Sequence, residues 1–98
     1  MSLRYYARVS SEGNRYSVCL PSVLVRSNEV AREAVEAGWV VVSFNGLVSV
    51  SKVRRKVITD SKGYTYEHYR ITVPRRVVEK LGLKVGDKVL VELSPLSR

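Results

Sequence analysis

The hydrophobic positions of this chain first fall into the two-residue period of a strand. Leu3, Tyr5, Ala7 and Val9 alternate with Arg4, Tyr6, Arg8 and Ser10, which predicts a half-buried strand over 3–10. Ser11-Glu12-Gly13-Asn14 supplies turn chemistry, and Tyr16, Val18 and Leu20 give a second inward face before Pro21 stops the ladder. From Asn28 to Ala37 the spacing turns helical. Val30, Ala34 and Ala37 share one side, Ser27 or Asn28 can cap the start, and Gly38 can cap the end. The apolar run Trp39–Phe44, the pair Asn45-Gly46 and the run Leu47–Ser51 predict a hairpin, because both residues of so tight a turn take positive φ. Beyond Lys52, strands are expected over Val53–Asp60 and Tyr64–Val73, joined by a turn at Ser61-Lys62-Gly63. Pro74 is preset for a first helical turn and opens a short helix through Leu81, which Gly82 ends. After Val85-Gly86-Asp87, the alternation of Val89, Val91 and Leu93 predicts the last strand, and residues 94–98 a loose tail.

The elements repeat in order: strand, turn, strand, proline, helix, glycine, strand. Tyr16-Ser17-Val18-Cys19-Leu20-Pro21 matches Tyr69-Arg70-Ile71-Thr72-Val73-Pro74. Upstream, Arg8-Val9 matches Lys56-Val57 and Arg4 matches Lys52; downstream, Gly38 falls near Gly86. One compact domain over 1–98 is therefore expected, built from halves 3–52 and 53–93. A unit of about fifty residues cannot hold a core unaided. The halves are expected to pack into each other as an intramolecular pseudo-dimer, or else the second half must find its copy in a homodimer. The run Leu47–Ser51 has no counterpart in the second half, which would leave an edge open to another chain.

Charge sharpens the functional reading. Seventeen Lys and Arg against nine Asp and Glu give a net charge of +8, which favours a polyanionic partner. Residues 1–50 hold five basic and four acidic side chains, residues 51–98 twelve and five. The basic character belongs to the second half. No apolar run approaches a membrane span and the start lacks a signal pattern, so a cytoplasmic protein without a membrane partner is expected. Cys19 is the single cysteine and His68 the single histidine, so neither an internal disulfide nor a cysteine-based zinc site can form. No phosphate loop, nucleophile elbow or carboxylate pair appears; neither an enzyme nor a cofactor is expected. The absence of glutamine, with one Cys and one Met, is a composition met in thermophiles.

The string from Tyr69 to Val89, with Ile71-Thr72-Val73-Pro74, a short helix, Leu81-Gly82-Leu83 and then Gly86-Asp87-Lys88-Val89, resembles the signature of the AbrB/MazE/SpoVT family. The resemblance implies a mostly β fold with short helices (α+β), a swapped-hairpin β-barrel, and transcriptional regulation or antitoxin-like action on duplex DNA, with a toxin protein as a possible partner. It places Arg70, four positions before Pro74, where relatives carry a DNA-facing arginine. Arg54, Arg55 and Lys56 fall in the first-strand region where further basic contacts are common. Some relatives carry an arginine pair late in the helix; here those positions are Val78 and Glu79, and the basic pair is Arg75-Arg76.

The strand period supports the same choice. Tyr64, Tyr66, His68, Arg70 and Thr72 share one side of their strand, opposite Tyr69, Ile71 and Val73. Cations there would hold phosphates, while Arg, Tyr or Thr could read base edges. The candidate DNA-binding residues are Arg54, Arg55, Lys56, Lys62, Tyr66, Arg70, Arg75 and Arg76, with Arg4 and Arg8 as weaker ones. Two rival readings stand beside this one: a protein-interaction module that neutralises a toxin, and an RNA-binding β-domain, which exposed tyrosines would suit.

Overall fold

The computed structural model of the chain describes residues 2–95. The elements run β1 (Leu3–Glu12), β2 (Arg15–Leu20), α1 (Ser22–Ser27), α2 (Glu29–Ala37), β3 (Trp39–Phe44), β4 (Leu47–Thr59), β5 (Thr65–Val73), α3 (Arg75–Leu81) and β6 (Lys88–Ser94). The fold is thus mostly β with short helices. All six strands pair antiparallel and close into a ring, in the order β1-β2-β5-β4-β3-β6. Inside it lie Val9, Val18, Leu20, Val40, Val42, Phe44, Ile71, Val89, Val91 and Leu93. Burying each such side chain contributes about 1.5–3 kcal/mol. Ordinary strand alternation puts them there: β3 and β6 bury every second residue along their lengths.

The pairing registers carry an internal symmetry. β2 and β5 meet with Val18 opposite Ile71, and their neighbours fall evenly about that pair: Tyr16 faces Val73 where Leu20 faces Tyr69, and Ser17 faces Thr72 where Cys19 faces Arg70. β3 and β6 behave alike about Ser43 and Glu92, with Val42 opposite Leu93 and Phe44 opposite Val91. The hairpins agree, since Val9 faces Val18 where Val53 faces Ile71. Leu3 likewise faces Leu93 where Leu47 faces Phe44. Exchanging β1-β2-β3 with β4-β5-β6 therefore carries every strand pairing onto a strand pairing, β2–β5 and β3–β6 each onto itself.

Within this correspondence Tyr16–Pro21 lies on Tyr69–Pro74, as the sequence match requires. Upstream, the expected match is corrected. Val9 corresponds to Val53 and not Val57, so Arg8 corresponds to Lys52 and Arg4 to Val48. A shift by an even number of residues leaves the inside–outside alternation intact, so the hydrophobic pattern could not detect the error.

Three further expectations are corrected. Leu47–Ser51 and Val53–Asp60 are not two strands but the continuous β4 of 13 residues. The onset of basic residues at Lys52 marks a change of surface, with no break in the backbone. The open edge inferred from the unmatched run is consequently absent among the described strands, because β4 itself closes the ring against β3. A helix, α1, stands where none was expected. Ser22–Ser27 is rich in β-branched valine, a weak helix former, yet Pro21 presets the first turn (φ −59°, ψ 135°) and buried Val25 anchors it. Pro74 opens α3 in nearly the same conformation (φ −61°, ψ 147°), so α1, not α2, is the counterpart of α3. In the expected tail, Ser94 closes β6, while residues 96–98 lie outside the described residues.

Local chemistry explains the joints. The Asn45-Gly46 turn is formed as expected, with φ of +50° and +93°. Asn45 also ties the turn to β6, accepting from the Leu90 N–H at 2.8 Å and donating its own N–H to the Leu90 carbonyl at 2.9 Å. At the start of α2 the Asn28 side chain accepts from the N–H groups of Val30 and Ala31 at 2.9 and 3.3 Å. Asn28→Ala should lower unfolding free energy by about 1 kcal/mol, read as a shift in the urea midpoint. An unmoved midpoint would show that this cap contributes nothing.

Candidate nucleic-acid interface

β4 and β5 outrun the ring. From Arg54 to Thr59 and from Thr65 to His68 no side chain is buried, so the hairpin stands in solvent as a two-stranded ribbon. Register sorts its residues by face. On one face Arg54 lies opposite Arg70, Lys56 opposite His68 and Ile58 opposite Tyr66. On the other, Arg55 lies opposite Tyr69, Val57 opposite Glu67 and Thr59 opposite Thr65. The first face continues across β2 and β1, where Cys19 pairs with Arg70 and Ser10 with Ser17.

Arg70 is the most constrained cation of this face. One guanidinium nitrogen donates to the Ser10 hydroxyl at 2.9 Å and to the Ser17 hydroxyl at 3.3 Å. Its Nε lies 3.8 Å from a Glu12 carboxylate oxygen, and an Arg54 nitrogen lies 3.9 Å from the other. Both ion pairs are long and solvent-screened, so they hold the side chains loosely. Glu12 offsets only part of the charge of Arg54, Lys56 and Arg70, and exposed Arg15 stands opposite it in register. The result is a positive depression bordered by the side chains of Glu12, Arg54, Lys56 and Arg70.

By the internal correspondence Ser10 occupies the place of Arg54, Glu12 that of Lys56 and Ser17 that of Arg70. The first half therefore supplies acceptors where the second supplies cations. Ser10, Glu12 and Ser17 were not among the sequence candidates. They act across 42 to 60 residues of chain, and no local pattern announces such contacts.

The remaining candidates are placed as follows. Arg55 sits on the opposite face of the ribbon, 3.0 Å from Glu67, whose carboxylate also accepts from the Tyr69 hydroxyl. That hydrogen bond pushes the Tyr69 phenol above its ordinary range. Lys62 and Tyr66 belong to the tip. There Asp60 accepts from the N–H groups of Lys62 and Tyr64 at 2.9 and 3.0 Å and from the Tyr66 hydroxyl. Chiefly through Tyr66, these bonds hold the Asp60 carboxyl below its usual range. The Tyr66 hydroxyl is thereby committed, leaving its ring as the free part. Arg75 and Arg76 are exposed on the first turn of α3. Arg76 reaches the Val48 carbonyl at 3.5 Å, and among the described residues neither makes an ion pair with Glu79. Arg4 pairs with Glu92 at 3.7 Å, and Arg8 donates to the Gly86 carbonyl at 2.9 Å. Arg54, Lys56 and Arg70 are thus brought together on one face, while the others surround it or face elsewhere.

Two grooves flank the hairpins at corresponding places. One lies between the β1–β2 hairpin and α3, lined by Tyr16, Arg75 and Glu79; the other lies between the β4–β5 ribbon and α1, lined by Tyr69, Ser22 and Arg26. No described helix is long and apolar enough to cross a membrane.

Residues 67–95 match the family model described as antidote-toxin recognition MazE, bacterial antitoxin. The matched stretch runs from Glu67 in β5 through α3 and β6, and the family is not an enzyme family. No curated protein and no solved structure matches the chain.

Proposed function

We propose that the chain binds duplex DNA as a regulator of the antitoxin type, gripping it with the outer face of the β4–β5 ribbon. One observation carries this reading: Arg54, Lys56 and Arg70 align on one face of a solvent-standing two-stranded ribbon, with Arg70 held in place by Ser10 and Ser17. A ribbon of this kind fits the width of a major groove. Cations along it can take phosphates, and a guanidinium held at a fixed angle is suited to a base edge. Lys62, at the tip, and Arg55, across the ribbon, add charge on approach. The match of residues 67–95 to an antitoxin family supports the same class and adds a toxin protein as the second partner.

The architecture that goes with this function is a tandem pseudo-dimer, in which one chain supplies both interleaved halves of a swapped-hairpin domain. The symmetric registers support it, and the continuity of β4 favours a division at Asn45-Gly46 over one at Lys52. The intact chain is then expected to sediment as a monomer. Because the first half carries Ser10, Glu12 and Ser17 where the second carries Arg54, Lys56 and Arg70, DNA contact is one-sided.

Salt dependence tests the proposal. If four to eight phosphates are neutralised, log K for duplex DNA should fall against log salt with a slope of roughly −4 to −7. A flat dependence, or equally tight binding to single-stranded RNA, would overturn the duplex-DNA reading.

A further inference from the structure

Behind the ribbon, where β4 pairs with β3 in place of β5, the outward side of β4 is not used in the proposed DNA contact. Along Leu47–Lys52 the ordinary polarity of a strand is inverted. Ser49 and Ser51 point into the ring, buried at 6% and 4% exposure, while Val48 and Val50 stand in solvent at 59% and 64%. The two buried hydroxyls satisfy each other at 3.3 Å, so the inward side is accommodated. Among the described residues nothing covers the outward side. Across β3, Val41 faces Val50, Ser43 faces Val48, and Trp39, 43% exposed, faces Lys52. Trp39, Val41, Val48 and Val50 therefore form one apolar patch on the outside of a sheet, where serine would normally stand.

The charge around this patch is predominantly basic. The outward positions of β1, β3, β4 and β6 carry Arg4, Arg8, Lys52, Arg54, Lys56 and Lys88 against two acids: Glu92, which is occupied by Arg4, and Glu12, at the far end of β1 beside Arg54 and Arg70. Arg76 closes the border by reaching the carbonyl of Val48 itself. An apolar centre inside a basic rim fits an apolar surface bordered by carboxylates. A second copy of this chain does not fit, since it would set like-charged rims against each other. Nucleic acid does not fit the centre, because valine offers phosphate nothing. Strand addition is not available either, because β3 and β4 are each paired on both sides. The occupant must lie across the sheet face.

We infer that the outer face of β3 and β4 is a docking site for an acidic amphipathic helix of a partner protein, seated by aliphatic side chains on Trp39, Val41, Val48 and Val50. Lys52 and Arg76 take the carboxylates at either end of the patch. A helix laid across this face presents its anchors at helical spacing. The site lies toward the β3 side of β4, on the same outward side of that strand as Arg54 and Lys56, with Lys52 between.

Trp39 is the only tryptophan in the chain and reports occupation of the patch directly. The probe is a helical peptide with leucine at i, i+3, i+4 and i+7 and glutamate elsewhere, titrated against the intact protein while Trp39 emission is followed. A blue shift that saturates is expected, weakened at least tenfold in the Val48→Thr/Val50→Thr double variant. Threonine keeps the strand shape and removes the apolar surface, and unchanged duplex-DNA affinity of that variant would show that it remains folded. The same peptide with lysine in place of glutamate should not bind. No shift, equal binding of the two peptides, or indifference to the double variant would each overturn the inference. A Trp39 shift that grows with protein concentration alone would assign the face to a second copy, and one produced by duplex DNA would assign it to nucleic acid; either result overturns it as well. Failure of DNA binding with the peptide response intact would instead sink the DNA reading and leave this site standing.

Discussion

Replacing Arg54, Lys56 and Arg70 together by alanine should weaken duplex-DNA binding on the order of 100-fold to 1000-fold at moderate salt. The three share one face of the ribbon, so they meet the same stretch of backbone and their loss compounds. Each cation removed from a phosphate also takes about one from the slope of log K against log salt, so the slope should flatten by about three. The matched control is Arg32→Ala with Lys80→Ala and Lys84→Ala. All three control residues are exposed and lie off the ribbon, and the control removes the same charge. Fluorescence anisotropy across a salt series reads both quantities. Equal losses in the two triple variants would mean that only total charge matters, and the assignment to the ribbon would fall. Arg70→Ala alone is expected to lose more than Lys56→Ala alone, because Arg70 is held by Ser10 and Ser17 before DNA arrives and gives up little freedom on binding.

The strands, the Asn45-Gly46 turn and the proline-led α3 were legible in the sequence because each rests on local chemistry: alternation, positive φ and a preset proline. The ribbon's cations were legible for the same reason, since Arg54, Lys56 and Arg70 fall on outward positions of strands that alternate. What the sequence did not yield depends on distant partners. The correspondence of Val9 with Val53 differs from the expected one by an even step, which leaves hydrophobic alternation unchanged. α1 is helical against the propensity of its valines, through Pro21 and the burial of Val25. The inverted polarity of Val48 and Val50 emerges only once β4 is one continuous strand, which carries the inward side of Val53 back to Ser51 and Ser49. Arg70 reads in sequence as a free cation; only the folded β1–β2 hairpin shows it docked on Ser10 and Ser17.

Cutting the chain between Gly46 and Leu47 should abolish the fold of each piece when separate and restore it on mixing. The pairings within 3–44 reduce to β1 with β2, and those within 47–94 to β4 with β5. The other four, β2 with β5, β1 with β6, β3 with β4 and β3 with β6, all run between the pieces. An isolated hairpin is marginal in water at best, and each piece would expose the side chains that the other buries, among them Val18, Phe44, Ile71 and Leu93. Neither piece can therefore fold as a monomer. Equimolar mixing should give a one-to-one complex with the circular dichroism of the intact chain, its melting temperature dependent on concentration because the tether is gone. The second piece alone, given enough concentration, should pair with its own copy, because β5 meets β2 about an axis that makes Ile71 the counterpart of Val18. Sedimentation of each piece, singly and mixed, separates these outcomes. A piece that is folded, cooperative and monomeric by itself would show that the halves do not depend on each other, and the tandem pseudo-dimer would be abandoned.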